Sequence, residues 1–210
     1  SKRSLGLDLK NEQSGEVVRR LLGWADVVLE SFTPGTAARL GLGYEAARAL
    51  NPSVVMVSTC LMGQTGPCAS MAGYGYHAAA VAGFYELTGW PDRPPSGLFG
   101  AYTDYIAPRY NAAAILASLD YRDRTGEGQH IDLAQAESAL HFLTPAILDY
   151  MANDHVQLRE GNSDPYCAPH SVYPTAGDDQ HIAIACETEQ QWQSLCEVLP
   201  NLEVSMDAFS

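Results

Sequence analysis

Three short apolar runs of β-type residues, separated by stretches with helical spacing, constrain the first third of this chain more than any other feature. "LGLDL" (5–9), "DVVLE" (26–30) and "VVMVS" (54–58) are nearly continuous in apolar residues, the pattern expected of strands covered on both faces. Between the first two, "SGEVVRRLLGWA" sets Val17, Leu21 and Trp24 on one helical face, with Ser14 as candidate N-cap. Between the second and third, "GYEAARAL" spells a short helix that stops at Asn51–Pro52. Strands alternating with helices build a parallel sheet with right-handed crossovers, which makes the fold class α/β. A parallel sheet of only three strands is small, so the reading expects this domain to be incomplete at its N-terminal end.

From residue 77 onward the spacing becomes helical. "HAAAVAGFYELTG" is rich in small residues, "PRYNAAAILASLDYRDR" predicts a helix beginning near Pro108, and "DLAQAESALHFLTPAILDYMAN" predicts a longer one kinked at Pro145. "TGEGQHIDL" lies between those two as a turn and a short extended run. The tail "PYCAPHSVYPTAGDDQHIAIACETEQQWQSLCEVL" reads as strand, turn at Gly177–Asp178, strand and helix, with Thr188 and Gln191 at capping-box spacing. The expected organisation is one large domain with linker helices over residues 1–152, then the start of a small α+β domain over residues 153–210, cut off at Ser210.

A formal net charge of −13, with 12 Lys and Arg scattered along the chain, argues against nucleic acid as a partner. It leaves room for an anionic small molecule, which needs only a local basic spot or a helix start. No run approaches the ~20 apolar residues of a membrane span, and the opening "SKRSLGLDLKNEQ" lacks a signal-peptide core. The five cysteines (Cys60, Cys68, Cys167, Cys186 and Cys196) show no metal or disulfide spacing, which predicts free thiols and a cytoplasmic protein.

Candidate sites fall in three segments. In "GLFGAYTDYIAPR" (97–109), Asp104 is a single acid among Gly, Ala, Tyr and Thr, after a Gly/Pro-rich approach. A loop aspartate usually caps a helix. One with no cation beside it, and with small neighbours that let a substrate close, can instead serve as a base or as a nucleophile. "ESFTPGTAARLGLGY" (30–44) lies at the carboxyl end of the second predicted strand, where α/β proteins bind ligands, and offers Arg39 to a phosphate. "LMGQTGPCASMAGYGYH" (61–77) is glycine-rich but fits neither phosphate-loop spacing. The histidines share no metal-like spacing, so no metal site is expected, and no Ser-His-Asp or Cys-His arrangement is legible.

Taken together, "KRSLGLDLK", "ADVVLESFTPG" with "RLGLGYEAARALNP", "GQTGP" with "AGYG", and "DYRDRTGEGQHIDLAQAESAL" resemble, in order, the motifs of the class III coenzyme A transferases, the CaiB/BaiF family. The resemblance implies a Rossmann-like, CoA-binding large domain, a small α+β domain, and two subunits interlocked like chain links. It also implies a chain that extends beyond both ends of this one, and an assembly with a second copy or a complementary chain. By position in the motif, the catalytic aspartate falls on Asp104, acting through an aspartyl mixed anhydride and an aspartyl-CoA thioester. CoA contacts carry over to Leu7 and Lys10, to Ser31, Phe32 and Thr33, to Arg39, and to Tyr74 and Gly75. Coenzyme A would enter as substrate, with no permanently bound cofactor, and "AYTDYIAPR" is similar to members acting on succinyl-CoA and larger organic acids. Two alternatives stand beside the transferase. One is an α-methylacyl-CoA racemase, whose histidine would fall on Tyr74, a phenol of pKa ~10 ill suited to proton shuttling, with His77 one turn away. The other is a non-catalytic CoA-binding or structural subunit.

Overall fold

The computed structural model describes residues 2–199, which divide into two compact units, residues 2–85 with 97–156 and residues 86–96 with 157–199. In the first, helix α1 (Ser14–Trp24) leads into strand β1 (Val27–Glu30), two short helices α2 (Thr36–Arg39) and α3 (Tyr44–Leu50), and strand β2 (Val55–Cys60). Helix α4 (Gly75–Ala82) follows, then α5 (Phe84–Leu87), whose last two residues belong to the second unit, the long α6 (Tyr102–Thr125) and strand β3 (His130–Ala134). The first unit closes with α7 (Gln135–Leu140), a 3-10 turn over His141–Leu143, and α8 (Thr144–Asn153). In the second unit β4 (His170–Pro174) pairs antiparallel with β5 (His181–Ala185), and α9 (Glu189–Val198) follows.

The sheet of the first unit is parallel, in the order β1-β2-β3, with Val57 opposite both Leu29 and Ile131. β2 is its central strand, and Val55, Met56 and Val57 are essentially inaccessible to water. Burying side chains of this size stabilises the fold by roughly 1.5–3 kcal/mol each, which explains an unbroken apolar run where alternation would suffice for a one-sided sheet. One core joins Val54 and Met56 to Val18 and Leu22 of α1 and to Ala47 of α3. A second joins Ala79, Phe84, Ile106 and Ala139 from the helices that follow.

The structure departs from the sequence-based expectations at several elements. "LGLDL" is not a strand: residues 2–8 carry no ladder bonds, and Leu5 is exposed. An apolar run cannot become a strand without a neighbour to accept its backbone bonds, and the third strand of the sheet is instead "HIDLA". α1 buries Ser14, Val18 and Leu22 and exposes Val17, Leu21 and Trp24, so the packed face lies one residue from the predicted one. Ser14 is helical and bonds the Asn11 carbonyl rather than capping the helix. The predicted helix over 132–153 is divided, its first residues lying in β3 and Pro145 lying in the opening turn of α8, where a missing N–H costs nothing. α6 begins six residues before Pro108, which it contains. Thr188 and Gln191 do form the capping box of α9. No helix among the described residues is long and apolar enough to cross a membrane.

Candidate active site

Asp104 lies in the first turn of α6, three residues past Ala101 at the helix cap, and its N–H donates to the Ala101 carbonyl at 2.9 Å. It is a helical residue rather than the loop residue expected from sequence. A proline that starts a helix and a proline inside one look alike in a sequence, and Pro108 is the second kind. Its ring removes the N–H that would have bonded the carbonyl of Asp104, four residues back. The first turn of a helix favours a carboxylate through the aligned backbone dipoles. No ion pair among the described residues includes Asp104. The nearest cation in sequence, Arg109, donates instead to the Tyr105 carbonyl.

The carboxyl of Asp104 is seated against Gly75, the first residue of α4. A Cβ placed on Gly75 would lie 2.8 Å from Asp104 Cγ and 2.9 Å from its Oδ2. Gly75 is buried and Asp104 is exposed, so the carboxylate covers the glycine and faces outward. At the start of α4 the His77 and Ala78 N–H groups donate to the Tyr74 carbonyl, and the N–H groups of Gly75 and Tyr76 have no carbonyl one turn earlier to receive them. Glycine at that point lets a carboxylate approach the helix start where any side chain would exclude it. Beside Asp104, Thr103 points the other way and is fully buried, its Oγ1 3.1 Å from the Gly75 carbonyl oxygen, to which it donates, and 3.2 Å from the side-chain amide of Gln135.

The glycine-rich segment before α4 is fixed from two sides. Asp132 of β3 accepts the Gln64 N–H at 3.0 Å on each carboxylate oxygen, next to Gly63 in the left-handed region (φ +83°). At the other end the Tyr74 N–H donates to His77 Nδ1 at 3.1 Å. A ring whose Nδ1 accepts a backbone bond carries its proton on Nε2 and serves the helix as an N-terminal cap. The bond engages only Nδ1 of the histidine on which the racemase alternative depends. Burial pushes the thiol of Cys60, at the end of β2, above its ordinary pKa, partly offset by backbone N–H bonds from Met62 and Gly63.

The residues that the motifs assign to CoA fall in three places. Tyr74 and Gly75 adjoin Asp104, Tyr74 largely exposed. Thr33 and Arg39 converge through Thr36, with Thr33 Oγ1 2.9 Å from Thr36 Oγ1, to which the Arg39 guanidinium donates at 2.6 Å. Ser31 and Phe32 precede them on the same loop, where the Phe32 N–H donates to Glu30 Oε2 at 2.7 Å. Leu7 packs on the first core, and Lys10 sits in an exposed turn whose N–H donates to Asp8 Oδ1 at 3.0 Å. Thr103, Gln135 and Asp132 were not singled out by the sequence. The only signal for them is the adjacency of Thr103 to Asp104 and the presence of the other two within the motif stretch "GQHIDLAQ".

Fold and site thus define an α/β protein with a parallel sheet and a carboxylate, in no ion pair among the described residues, at the meeting point of two helix starts. The chain belongs to CoA-transferase family III, whose model matches residues 1–208. It is 35% identical over 207 residues to the succinyl-CoA–D-citramalate CoA-transferase of Chloroflexus aurantiacus, covering 99% of this chain and 51% of that one. To the succinate–glutarate CoA-transferase of Agrobacterium fabrum it is 38% identical over 198 residues, covering 94% and 49%. A CaiB/BaiF family protein from Brucella suis superposes with a TM-score of 0.83 at 36% identity, over 94% of this chain and 52% of that one. The chain spans about half the length of the relatives it matches.

Proposed function

We propose that this chain carries the CoA-binding and nucleophilic part of a CoA-transferase that moves coenzyme A from an acyl-CoA to a carboxylic acid. The observation that carries the reading is the placement of Asp104, outward-facing, in no ion pair among the described residues, and seated on Gly75 at the start of α4. A carboxylate oxygen of Asp104 attacks the thioester carbonyl, the C–S bond breaks, and CoA leaves as thiolate from a mixed anhydride. The thiolate then attacks the aspartyl carbonyl, releasing the donor acid and leaving an aspartyl-CoA thioester. The acceptor carboxylate attacks that thioester and expels the thiolate once more. Thiolate adds to the acceptor's acyl carbon and Asp104 returns as carboxylate, so each bond broken is matched by one formed. Backbone N–H groups at the opening of α4 supply hydrogen bonds to the oxyanion of each addition. Arg39, held by Thr36 on the loop after β1, supplies the cation for a CoA phosphate.

The named relatives act on succinate or succinyl-CoA with a second dicarboxylic acid, and a dicarboxylyl donor and acceptor form part of this proposal. So does assembly as an interlocked homodimer or with a complementary chain, and so does the assignment of residues 1–152 to CoA binding. Asp104→Asn in the assembled enzyme should lower turnover at least ~1,000-fold while CoA still binds. Hydroxylamine should attack the activated aspartyl carbonyl of the native enzyme, expelling the donor acid or CoA thiolate and leaving an aspartyl hydroxamate that mass spectrometry locates at Asp104. Turnover of the variant within tenfold of the native rate refutes the nucleophile, and unchanged activity of the assembly makes the chain a structural subunit. Deuterium exchange at the α-carbon without an acceptor acid would restore the racemase.

A further inference from the structure

We propose that Thr103 is a positioning residue that fixes the nucleophile through a buried hydroxyl clasp to Gly75 and Gln135; the inference rests on Asp104 being that nucleophile. The start of α6 needs an external anchor, since Ala101 at its cap supplies no side-chain bond. Thr103, fully buried in the same turn, reaches the Gly75 carbonyl at 3.1 Å and the Gln135 amide at 3.2 Å. A hydroxyl carries one proton and accepts as well. A half-turn of the Gln135 amide lets its NH2 donate to Thr103 Oγ1 while Thr103 donates to Gly75.

The clasp joins the first residue of α4, the first turn of α6 and the first residue of α7 at one point. Thr103 holds the carbonyl of Gly75 while Asp104, the next residue, lies against its α-carbon. The glycine is therefore gripped by two consecutive side chains, and its position sets that of the carboxylate. A buried threonine satisfied by two partners also fits a purely structural role, and the two roles differ in what they move. A structural hydroxyl changes stability and substrate affinity together. A positioning one changes the rate of attack and leaves affinity alone, since a 1 Å misplacement costs on the order of 100-fold in rate.

The test compares Thr103→Val, of nearly the same shape without the hydroxyl, with Thr103→Ser, which keeps it, in the assembled enzyme with succinyl-CoA as donor. Valine is expected to lower kcat and the rate of hydroxylamine-trapped acyl-enzyme formation by about 10–100-fold, with KM for the thioester within about threefold. Serine is expected to restore both rates to within about threefold of native. Gln135→Met removes the second partner without touching α6 and should slow trapping in the same direction, about 3–10-fold; it decides the matter if the valine variant does not fold. Native trapping rates in both Thr103→Val and Gln135→Met overturn the inference, as does a loss of rate that serine fails to rescue. If the native enzyme gives no adduct on Asp104, the nucleophile reading fails; an adduct forming equally fast without the hydroxyl removes the clasp alone.

Discussion

Substituting Gly75 by alanine tests the site without touching an ionisable group. The new Cβ would stand 2.8 Å from Asp104 Cγ, 2.9 Å from Oδ2 and 3.0 Å from Ala101 Cβ. Carbon atoms in ordinary contact sit about 3.5 Å or more apart, so the carboxyl group must retreat by roughly 0.7 Å. Gly75 opens α4 and is not among the left-handed glycines, so alanine suits its backbone and gains up to about 1 kcal/mol of helix propensity. The cost falls on geometry. A displacement of that size corresponds to a loss of about 10–100-fold in kcat, or ~1.4–2.7 kcal/mol of barrier. Gly75→Ala in the assembled enzyme, followed by steady-state transfer, hydroxylamine trapping and thermal melting, should show the rate fall while Tm holds or rises. Trapping within twofold of native refutes the reasoning, because the carboxylate would then need no particular seat. A fall in Tm of more than about 5 °C alongside the lost rate also refutes it, since the contact would then be one of general packing.

Two further predictions concern the frame around the site. Gly128→Ala would place a Cβ 2.0 Å from the Val54 carbonyl oxygen and 2.6 Å from the Ser53 carbonyl carbon, both backbone atoms with little freedom to yield. A loss of about 3 kcal/mol or more in urea unfolding is expected, and a loss below about 1 kcal/mol would show that β3 can shift away from β2. Near the end of α8, hydrogen bonds from Asn153 and then His155 hold Asp149 below its ordinary carboxylate pKa. A folded pKa below the unfolded value gives stability that is present above about pH 4 and is lost as pH falls through the folded value. Asp149→Asn should therefore flatten the acid limb of the melting profile below about pH 4, and an acid limb identical to the native one refutes the linkage.

The parts of this molecule legible in the sequence are those set by short-range chemistry. Thr188 and Gln191 announce their capping box because both partners lie within one turn. The run 54–58 announces a central strand because burial on both faces allows no alternation, and the structure begins that strand at Val55. "LGLDL" carries a similar signal and fails, because a strand depends on a neighbour that the run itself does not encode. "HIDLA" has the weaker pattern and succeeds, bonded to β2 along its whole length.

The site divides along the same line. Asp104 could be singled out because its immediate neighbours carry no charge. Its seat on Gly75 spans 29 positions, and the clasp from Thr103 to Gln135 spans 32. Asp132 reaches 68 positions to the turn at Gln64. None of these pairings leaves a local period or spacing, so only the fold makes them visible. The glycine shows why this matters for chemistry. In the sequence Gly75 stands out only through the family motif, as a CoA contact, whereas in three dimensions its missing side chain is the space the carboxylate occupies. A function read from Asp104 alone would therefore survive a change at Gly75, whereas a function read from the pair would not.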